Sequence, residues 1–466
     1  FRLIVYNQFK SWANVHRLLF EPGDDDLKDF SKGFTMRSLF NLLFTLCLSL
    51  LFGMVPLADE SDAIAAPHFH KNARIVPTAA TSTAANPAQL IAQALSANTS
   101  PTEILSRLFT EEALQASWFA DSFLAQISLA EISQITQGIV SSTGAYQSIE
   151  DVSNGFVLTF ERGTVATHLA VNPQGQITGL LFETPQLVGL SVEDTLSEFS
   201  ALPGKVNLVA TRNGTEVAAL NPGQPLAVGS TFKLLILQVL QNQIAAGQHQ
   251  WDEVVTLQEK WTSLPSGFLQ TWPAGSSLTL QSLATLMISQ SDNTATDHLL
   301  HIVGREAIEA LSERNRPFLT TREAFVLKDP ANRTLARRWR RSNEKRSLIS
   351  ALAALPLPAV SIFNEGPQSI DIEWFFTARE LCAAMDEVAD LPLMSINPGL
   401  VDPEQWQKVS FKGGSEPGVE NFTTYLVDEE GPLCVSATWN NESGIDELQF
   451  SVLYRSLIES LREQAA

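Results

Sequence analysis

The sequence predicts an α+β protein with two unequal domains. The smaller domain is expected to combine short helices with a curled antiparallel sheet, and the larger one to form a three-layer α/β sandwich with an all-helical subdomain. Two observations carry this prediction: helical apolar spacing changes to alternating, β-rich sequence within residues 86–190, and β-rich segments lie at both ends of a long helical stretch within residues 195–466. Of the 466 residues, 44% are hydrophobic and 18% are charged, which is typical of an ordered globular chain.

The first part of the chain is expected to lie outside the mature protein. Residues 1–35 are of mixed character, and only at Met36 does a basic residue precede an apolar run and a small-x-small site. This order is typical of a secretory signal peptide over residues 36–65, with cleavage after Ala65. Residues 1–35 would then be an upstream artefact of gene calling, and the protein would be exported to the periplasm or the extracellular space. A membrane anchor is the alternative, although the apolar run is short for one.

Charge and cysteine content limit the kinds of partner. The formal net charge of −20 disfavours nucleic acid and anionic membranes as partners. No cofactor is predicted, and no Cys-x-x-Cys or Cys/His cluster indicates a metal site. Cys382 and Cys434 lie beyond the signal segment and could either pair or remain buried thiols. The sequence leaves the oligomeric state open.

The small domain is predicted over residues 86–190, after a disordered tail at residues 66–85 that is rich in Ala, Thr, Pro and Ser. Helical spacing recurs as far as Gly138 and includes a predicted helix over residues 111–123. Turn sequences then separate four predicted strands, at residues 144–150, 155–161, 165–171 and 177–183. A curled sheet on helices resembles the ketosteroid-isomerase-like proteins. No paired acid and base here demands catalysis, so the domain is predicted to support its neighbour. Residues 185–200 are predicted to form a linker and the entry to the next domain.

In the larger domain, both chain ends contribute to one predicted antiparallel sheet. Its strands are expected within residues 206–220, around an Arg-Asn-Gly turn, and at residues 409–411, 423–427 and 434–440. The last helix, at residues 448–464, is expected to pack on this sheet. The apolar run at residues 234–244 predicts a helix buried between the sheet and the helical subdomain.

A serine and a lysine at the head of that buried helix are spaced for nucleophilic catalysis. Ser230 and Lys233 are three residues apart, so that on the first turn of a helix they share one face. An amine in this position can accept the hydroxyl proton, which activates the serine as a nucleophile. The pair alone is a weak signal, because any helix can carry it by chance.

Two further polar sets follow along the chain. Ser-Asp-Asn at residues 291–293 lies between two helical runs, where a second hydroxyl can relay a proton and an amide can hold a substrate carbonyl. Helix capping is the alternative for this set. Lys-Gly-Gly at residues 412–414 continues a predicted strand and places a cation next to backbone that a ligand can approach closely. An edge-strand lysine with a bulge is the alternative there.

Ser-x-x-Lys, Ser-Asp-Asn and Lys-Gly-Gly, in this order and on helix, loop and strand, are the motif set of the penicillin-recognising serine hydrolases. Residues 195–466 therefore resemble class A β-lactamases and the related penicillin-binding proteins, whose β-lactamase/transpeptidase-like fold is the expected sandwich. Gly413 stands where threonine is usual. The two-domain layout and the strings at residues 317–323, 372–375 and 412–418 are similar to the serine hydrolases of clavulanic acid gene clusters.

The resemblance implies a role for each motif residue. Ser230 would be the nucleophile, with Lys233 as its base, either directly or through Ser291. Ser291 would protonate the leaving group, and Lys412 would attract a substrate carboxylate and hold the Ser291 hydroxyl. The backbone N–H groups of Ser230 and Ser415 would form the oxyanion hole. The expected substrate-binding residues are Asn293, Gly413, Gly414 and Ser415.

One expected group is missing. Class A β-lactamases have a Glu and an Asn in a loop after the second motif, and that Glu activates water for deacylation. No Glu-x-x-x-Asn stands out here, and the candidates are Glu323, Glu344, Glu365 and Glu373, of which the last precedes a helix and is expected to cap it or anchor its loop. Residues 335–346 carry a basic cluster, interpreted as a solvated helix face, and His298 and His301 are interpreted as surface or cleft-edge residues.

Three functions remain open from the sequence. The first is a β-lactamase or β-lactamase-like esterase that turns over a small molecule, and the second is a penicillin-binding protein or sensor that deacylates slowly. The third is an inactive relative that serves as a binding scaffold. The intact Ser230, Lys233, Ser291 and Lys412 argue against the third, and the missing glutamate argues against efficient β-lactam turnover.

Overall fold

The structure is a computed structural model that describes residues 100–342, 345–364, 366, 367 and 369–465. The predicted upstream segment, signal peptide and tail, and also Glu344 and Glu365, lie outside these residues. Within the described ranges no helix is long and apolar enough to cross a membrane. The same ranges contain no group of three or more His, Cys, Asp or Glu side chains that could hold a metal ion.

The N-terminal part has the predicted combination of helices and a curled antiparallel sheet. Its helices are α1 (Pro101–Thr110), α2 (Asp121–Leu124) and α3 (Leu129–Thr143). Capping boxes begin α1 and α3, because Ser100 with Glu103 and Ser128 with Glu131 satisfy backbone N–H groups that have no partner inside the helix. The strands are β1 (Tyr146–Val152), β2 (Gly155–Phe160), β3 (Gly163–Val171), β4 (Ile177–Phe182) and β5 (Gln186–Leu187), in the order β1-β2-β3-β4 with β5 beside β3. One apolar core joins helices and sheet.

The helix predicted over residues 111–123 is wrong. These residues contain the 3₁₀ turn Ala116–Trp118 and the beginning of α2, with an extended segment between them. Phe119 forms a bridge to Ile177, and the N–H of Ala120 donates to the carbonyl of Ile177 at 2.9 Å. Pairing with the sheet and burial of Phe119 in the core therefore override the local helical spacing.

The structure also differs at residues 185–200, where a linker is predicted. This segment holds β5 and helix α4 (Val192–Ala201), which begins with a capping box between Ser191 and Asp194. The backbone on either side of β5 is fastened to the last helix of the chain, α13 (Glu447–Ala465): Arg455 donates to the carbonyl of Thr184 at 2.6 Å, and Ser460 to that of Leu190 at 2.8 Å.

A five-stranded antiparallel sheet forms the middle layer of the large part, as predicted. Its strands are β6 (Lys205–Arg212), β7 (Thr215–Leu220), β12 (Lys408–Glu416), β13 (Val419–Asp428) and β14 (Gly431–Asn440), in the order β12-β13-β14-β6-β7. Helices α4 and α13 cover one face of the sheet. The opposite face packs on α5 (Lys233–Ala245) and α12 (Ala378–Val388). The predicted three-layer sandwich is confirmed.

The helical subdomain lies beyond α5 and is formed by α6 (Leu280–Ser289), α7 (Asn293–Val303), α8 (Arg305–Leu311), α9 (Thr321–Lys328), α10 (Arg333–Arg341) and α11 (Ile349–Ala353). Two short pairs complete the large part: β8 (Leu226–Ala227) with β11 (Phe375–Phe376), and β9 (Val254–Thr256) with β10 (Ser277–Thr279). Further single turns of 3₁₀ helix include Gly229–Phe232, Glu259–Trp261, Leu269–Thr271 and Glu313–Asn315. Helix α5 is apolar on nearly all sides, and six of its leucine, isoleucine and valine side chains are buried between the layers.

Cys382 of α12 and Cys434 of β14 form a disulfide, which settles the alternative left by the sequence. The bond joins the helix to the central strand across 52 residues, and both cysteines are buried. A crosslink of this length restricts the unfolded chain more than the folded one.

Reduction of this disulfide is expected to lower the free energy of unfolding by about 2–4 kcal/mol, because the unfolded chain then regains the entropy of the closed loop. Unfolding in guanidinium chloride, with and without a reductant, measures the difference. The double variant Cys382→Ser/Cys434→Ser is the control and should respond to the reductant not at all. Equal unfolding midpoints for the wild type under both conditions would contradict the prediction.

Candidate active site

The turn that carries Ser230 is held from two sides. On one side the N–H of Val228 donates to the carbonyl of Trp374 at 3.1 Å, next to the pair of β8 and β11. The indole of Trp374 also stacks on Phe232, with 3.8 Å between ring centroids. Ser230 lies in the 3₁₀ turn Gly229–Phe232 and is half-buried, whereas Lys233 is the first residue of α5. The serine therefore precedes the α-helix rather than lying on its first turn, and its side chain is partly open to solvent.

Strand β12 closes the other side of the turn through two glycines. A Cβ on Gly414 would lie 2.1 Å from the carbonyl oxygen of Val228 and 2.6 Å from the nitrogen of Ser230. Gly229 has a φ of +50°, and a Cβ there would lie 3.1 Å from the nitrogen of Ser415. The approach at Gly414 leaves no room for a Cβ, and the positive φ at Gly229 favours glycine. The contact brings the backbone nitrogens of Ser230 and Ser415 to the same junction, at the free edge of the sheet.

Lys233 joins the first motif to the second. Its side chain is fully buried, and Nζ donates to the carbonyl of Ser291 at 2.5 Å, to Ser291 Oγ at 3.1 Å and to Asn293 Oδ1 at 2.7 Å. Burial lowers the pKa of Lys233 to about 7, an effect that the carboxylates of Asp292, Asp297 and Glu416 oppose. The amine can therefore lose its proton near neutral pH.

The side chains of the Ser-Asp-Asn loop have different contacts. Asp292 is the N-cap of α7 and accepts N–H groups from Ala295, Phe268 and Leu269, at 2.8, 2.7 and 2.9 Å. The capping alternative is therefore right for Asp292, while Ser291 and Asn293 contact Lys233. Ser291 has a φ of +54°, a conformation that is uncommon outside glycine and is found at functional sites.

Lys412 joins the third motif to the second. It is buried on β12, and Nζ donates to Ser291 Oγ at 3.1 Å and to the carbonyl of Gly413 at 2.5 Å. Burial, together with the charge of Lys233, lowers the pKa of Lys412. Two lysines thus share one serine hydroxyl, and their mutual repulsion favours a state in which one of them is neutral.

Gly413 contributes backbone only. A Cβ there would lie 2.9 Å from the ring of Phe411, on the sheet face that packs against α4 and α13. The position where the resemblance expects a threonine therefore points away from Ser230. Its carbonyl, which accepts from Lys412, is the part of this residue that takes part in the site.

Of the glutamates proposed from sequence, Glu323 and Glu373 fall in the described ranges, and both are already engaged. Glu323 forms a two-point ion pair with Arg305, at 2.9 and 2.8 Å, and completes a capping box with Thr320. Glu373 forms a buried ion pair with Lys328. The roles expected for Glu373 are either to cap helix α12 or to anchor its loop. Thr377 caps α12, so the contacts of Glu373 match the anchoring role.

Asp297, one turn along α7 from Asn293, is a residue of the site region that sequence reasoning missed. It accepts the N–H groups of Thr321 and Arg322, at 2.7 and 2.9 Å, and so fastens α9 to the Ser-Asp-Asn loop. Burial raises the pKa of Asp297 to about 7, against those donors. The sequence does signal the start of α9, because Thr-Thr-Arg-Glu at residues 320–323 has the spacing of a capping box, but it does not signal the contact with Asp297.

The interpretation of His298 is wrong. This side chain is fully buried, where Nε2 accepts the N–H of Gln258 at 2.7 Å and Nδ1 donates to the carbonyl of Thr294 at 2.7 Å. His301 stacks on Trp261.

The basic cluster is a solvated helix face as predicted, because the arginines of α10 are exposed while Ala336 and Trp339 are buried.

Residues 191–354, about a third of the chain, match the family model described as "Beta-lactamase enzyme family". No curated protein matches the sequence. Among the solved structures that are similar to this protein, three examples each cover 59% of this chain. The β-lactamase from Sphaerobacter thermophilus is 20% identical, with a TM-score of 0.43 and 97% of that chain covered. The β-lactamase from Chitinophaga pinensis is 16% identical and a class A β-lactamase from Bacteroides cellulosilyticus 15% identical, each with a TM-score of 0.40 and 98% of that chain covered. The family match includes Ser230 and Ser291 and ends before Lys412.

Proposed function

We propose that this protein is a serine hydrolase of the β-lactamase and penicillin-binding type, acylated on Ser230 by a small β-lactam or ester. The observation that carries the proposal is the hydroxyl of Ser291, which accepts hydrogen bonds from both Lys233 and Lys412 beside the turn that presents Ser230. A buried cap or an edge-strand lysine would not require this convergence.

Acylation follows from these contacts. The neutral amine of Lys233 takes the proton of Ser230, directly or through Ser291, while Oγ of Ser230 bonds to the substrate carbonyl carbon. The backbone N–H groups of Ser230 and Ser415 stabilise the oxyanion, where loss of one such donor typically costs about 10²–10³ in turnover. The C–N bond of a lactam or the C–O bond of an ester then breaks, and the proton passes from Lys233 through Ser291 to the leaving group. Water later cleaves the ester and restores the hydroxyl.

Substrate binding is assigned to the groups that remain. Lys412 attracts a substrate carboxylate and orients the Ser291 hydroxyl. The amide of Asn293 contacts Lys233 through Oδ1 and the carbonyl of Leu264 through Nδ2, and it holds the substrate by exchanging one of these partners. The backbone of Gly413, Gly414 and Ser415 lies along the free edge of β12, where an extended ligand can pair with it. We also propose that the protein is exported and that the ketosteroid-isomerase-like part before residue 191 supports the hydrolase without taking part in the chemistry.

A fluorophosphonate probe is expected to label Ser230, forming an O–P bond and releasing fluoride. The variant Ser230→Ala should lose labelling by about 10³-fold or more, because it lacks the oxygen that forms the O–P bond. Labelling followed by in-gel fluorescence measures this. The exposed Ser277→Ala serves as the control and should label like the wild type. Equal labelling of wild type and Ser230→Ala would refute the mechanism.

The rate of this labelling is expected to rise with pH through a midpoint near pH 7. Burial lowers the pKa of Lys233 to about 7, and only the neutral amine, present above that pH, can accept the proton. Second-order rate constants between about pH 5.5 and 8.5 test this. Lys233→Arg keeps the positive charge throughout and should label slowly at every pH. A flat profile for the wild type would rule out Lys233 as the base.

The alternative function, slow deacylation, is favoured by one observation. Among the described residues, the hydrogen-bond acceptors of Lys233 Nζ are atoms of Ser291 and Asn293, with no carboxylate among them. Glu323 is held by Arg305, so it is not free to deliver water. Acylation is therefore expected to outrun ester hydrolysis.

Nitrocefin and a p-nitrophenyl ester, run in parallel, should each give a burst of product approaching one equivalent per protein, followed by a slower steady phase. Stopped-flow absorbance measures both phases. The substrate with the faster steady phase separates lactamase from esterase. Rapid turnover of either compound without a burst would show that hydrolysis of the acyl-enzyme is not limiting and would exclude the alternative.

A further inference from the structure

A buried charge cluster lies beside the site and is not used by the mechanism above. It consists of Lys328, at the end of α9, with Glu373 and Glu416. The ammonium of Lys328 is hydrogen-bonded to a carboxylate oxygen of Glu373 and lies 3.4 Å from Glu416 Oε2. The side chains of Glu373 and Lys328 are 0% and 8% exposed. One cation therefore serves two carboxylates, of which Glu373 is buried and Glu416 is partly exposed.

The cluster touches both supports of the Ser230 turn. Glu373 immediately precedes Trp374, whose carbonyl accepts the N–H of Val228. Glu416 lies on β12 two residues beyond Gly414, whose backbone meets the nitrogen of Ser230. Side chains two apart on a strand share a face, so Glu416 lies on the same face as Gly414 and Lys412.

The cluster is incompletely compensated. Oε2 of Glu373 is buried and has no hydrogen-bond partner among the described residues. Burial and the charge of Glu416 raise the pKa of Glu373 to about 7, against the attraction of Lys328. Burial lowers the pKa of Lys328, but the two carboxylates together outweigh it, so the pKa is raised and Lys328 stays cationic. A buried ion cluster of this kind is a weak source of stability, and so a functional role explains it better.

Charged groups face Lys233 from three elements. Asp292 of the Ser-Asp-Asn loop, Asp297 of α7 and Glu416 of β12 favour its protonated form. Lys412 of β12 shares the Ser291 hydroxyl with Lys233, whose charge lowers the pKa of Lys412. Asp292 and Asp297 each accept several N–H groups, which spread their charge. Glu416 takes its compensation from the ammonium of Lys328.

We propose that Lys328 is a positioning residue for acylation: its charge neutralises Glu416 and Glu373 and so keeps the amine of Lys233 free to take the proton of Ser230. The proposal rests on the function proposed above, since it concerns the same proton transfer. Under this proposal, Glu416 of β12 and Glu373, which precedes β11, help to set the pH range in which Ser230 is acylated.

The test is the pH profile of fluorophosphonate labelling in the full-length protein. Lys328→Met leaves Glu416 without its counterion, so the midpoint should move to higher pH by about half a unit or more. Glu416→Gln removes a negative charge near Lys233, and the midpoint should move to lower pH. The double variant should return close to the wild-type midpoint, because both charges are gone. A role in packing alone would lower the plateau rate in these variants and leave their midpoints in place.

Controls separate the possible failures. Arg379→Met removes an exposed cation paired with Glu216 and should leave the midpoint unchanged. Lys328→Arg keeps the charge and should keep the wild-type midpoint. If Lys328→Met fails to fold, as judged by its thermal melt, the downward shift in Glu416→Gln and its reversal in the double variant decide. If the wild type and all variants are labelled but their midpoints are the same, this inference alone is overturned. If the wild type is not labelled at all, the proposed function is overturned and this inference with it.

Discussion

The buried ammonium of Lys233 is the interaction on which the site depends. A fully buried lysine costs free energy unless its donors are satisfied, and here the three acceptors come from Ser291 and Asn293. Those contacts fix the position of the Ser-Asp-Asn loop relative to α5, and with it the hydroxyl that Lys412 also reaches. The three motifs therefore meet at one serine hydroxyl, which both lysines contact, and the same burial that makes the charge of Lys233 costly lowers the pKa of its amine.

The second constraint is the close approach of backbone to backbone at Gly229 and Gly414. A Cβ on Gly414 would overlap the carbonyl of Val228 and crowd the nitrogen of Ser230, so β12 can lie against the turn only with glycine there. This contact sets the separation of the two backbone nitrogens assigned to the oxyanion hole. The proposed oxyanion hole would therefore be positioned by main-chain packing rather than by side chains.

Much of this architecture could be predicted from the sequence because its signals are local. Strand alternation, turn sequences and the apolar run of α5 gave the sheet and the buried helix, and the motif order gave Ser230, Lys233, Ser291 and Lys412. The failures are long-range. Phe119 is extended because it pairs with Ile177, and Lys328 meets partners 45 and 88 residues away, which no local pattern reveals. The burial of His298 is another long-range effect, because one of its two hydrogen bonds is to Gln258, 40 residues away in sequence.

The concentration of buried charge around Ser230 implies that stability must come from elsewhere. Lys233, Lys412, Lys328, Asp297 and Glu373 are all buried there, and burying ionised groups rarely stabilises a fold even when they are paired. The compensating terms lie beside the site rather than in it: the apolar faces of α5 and α12 and the disulfide that ties α12 to β14. Because Lys233 is the first residue of α5 and the side chains buried behind it on the same helix are apolar, one helix couples the two requirements. The hydrophobic contacts of α5 offset the free-energy cost of burying Lys233 at its first residue.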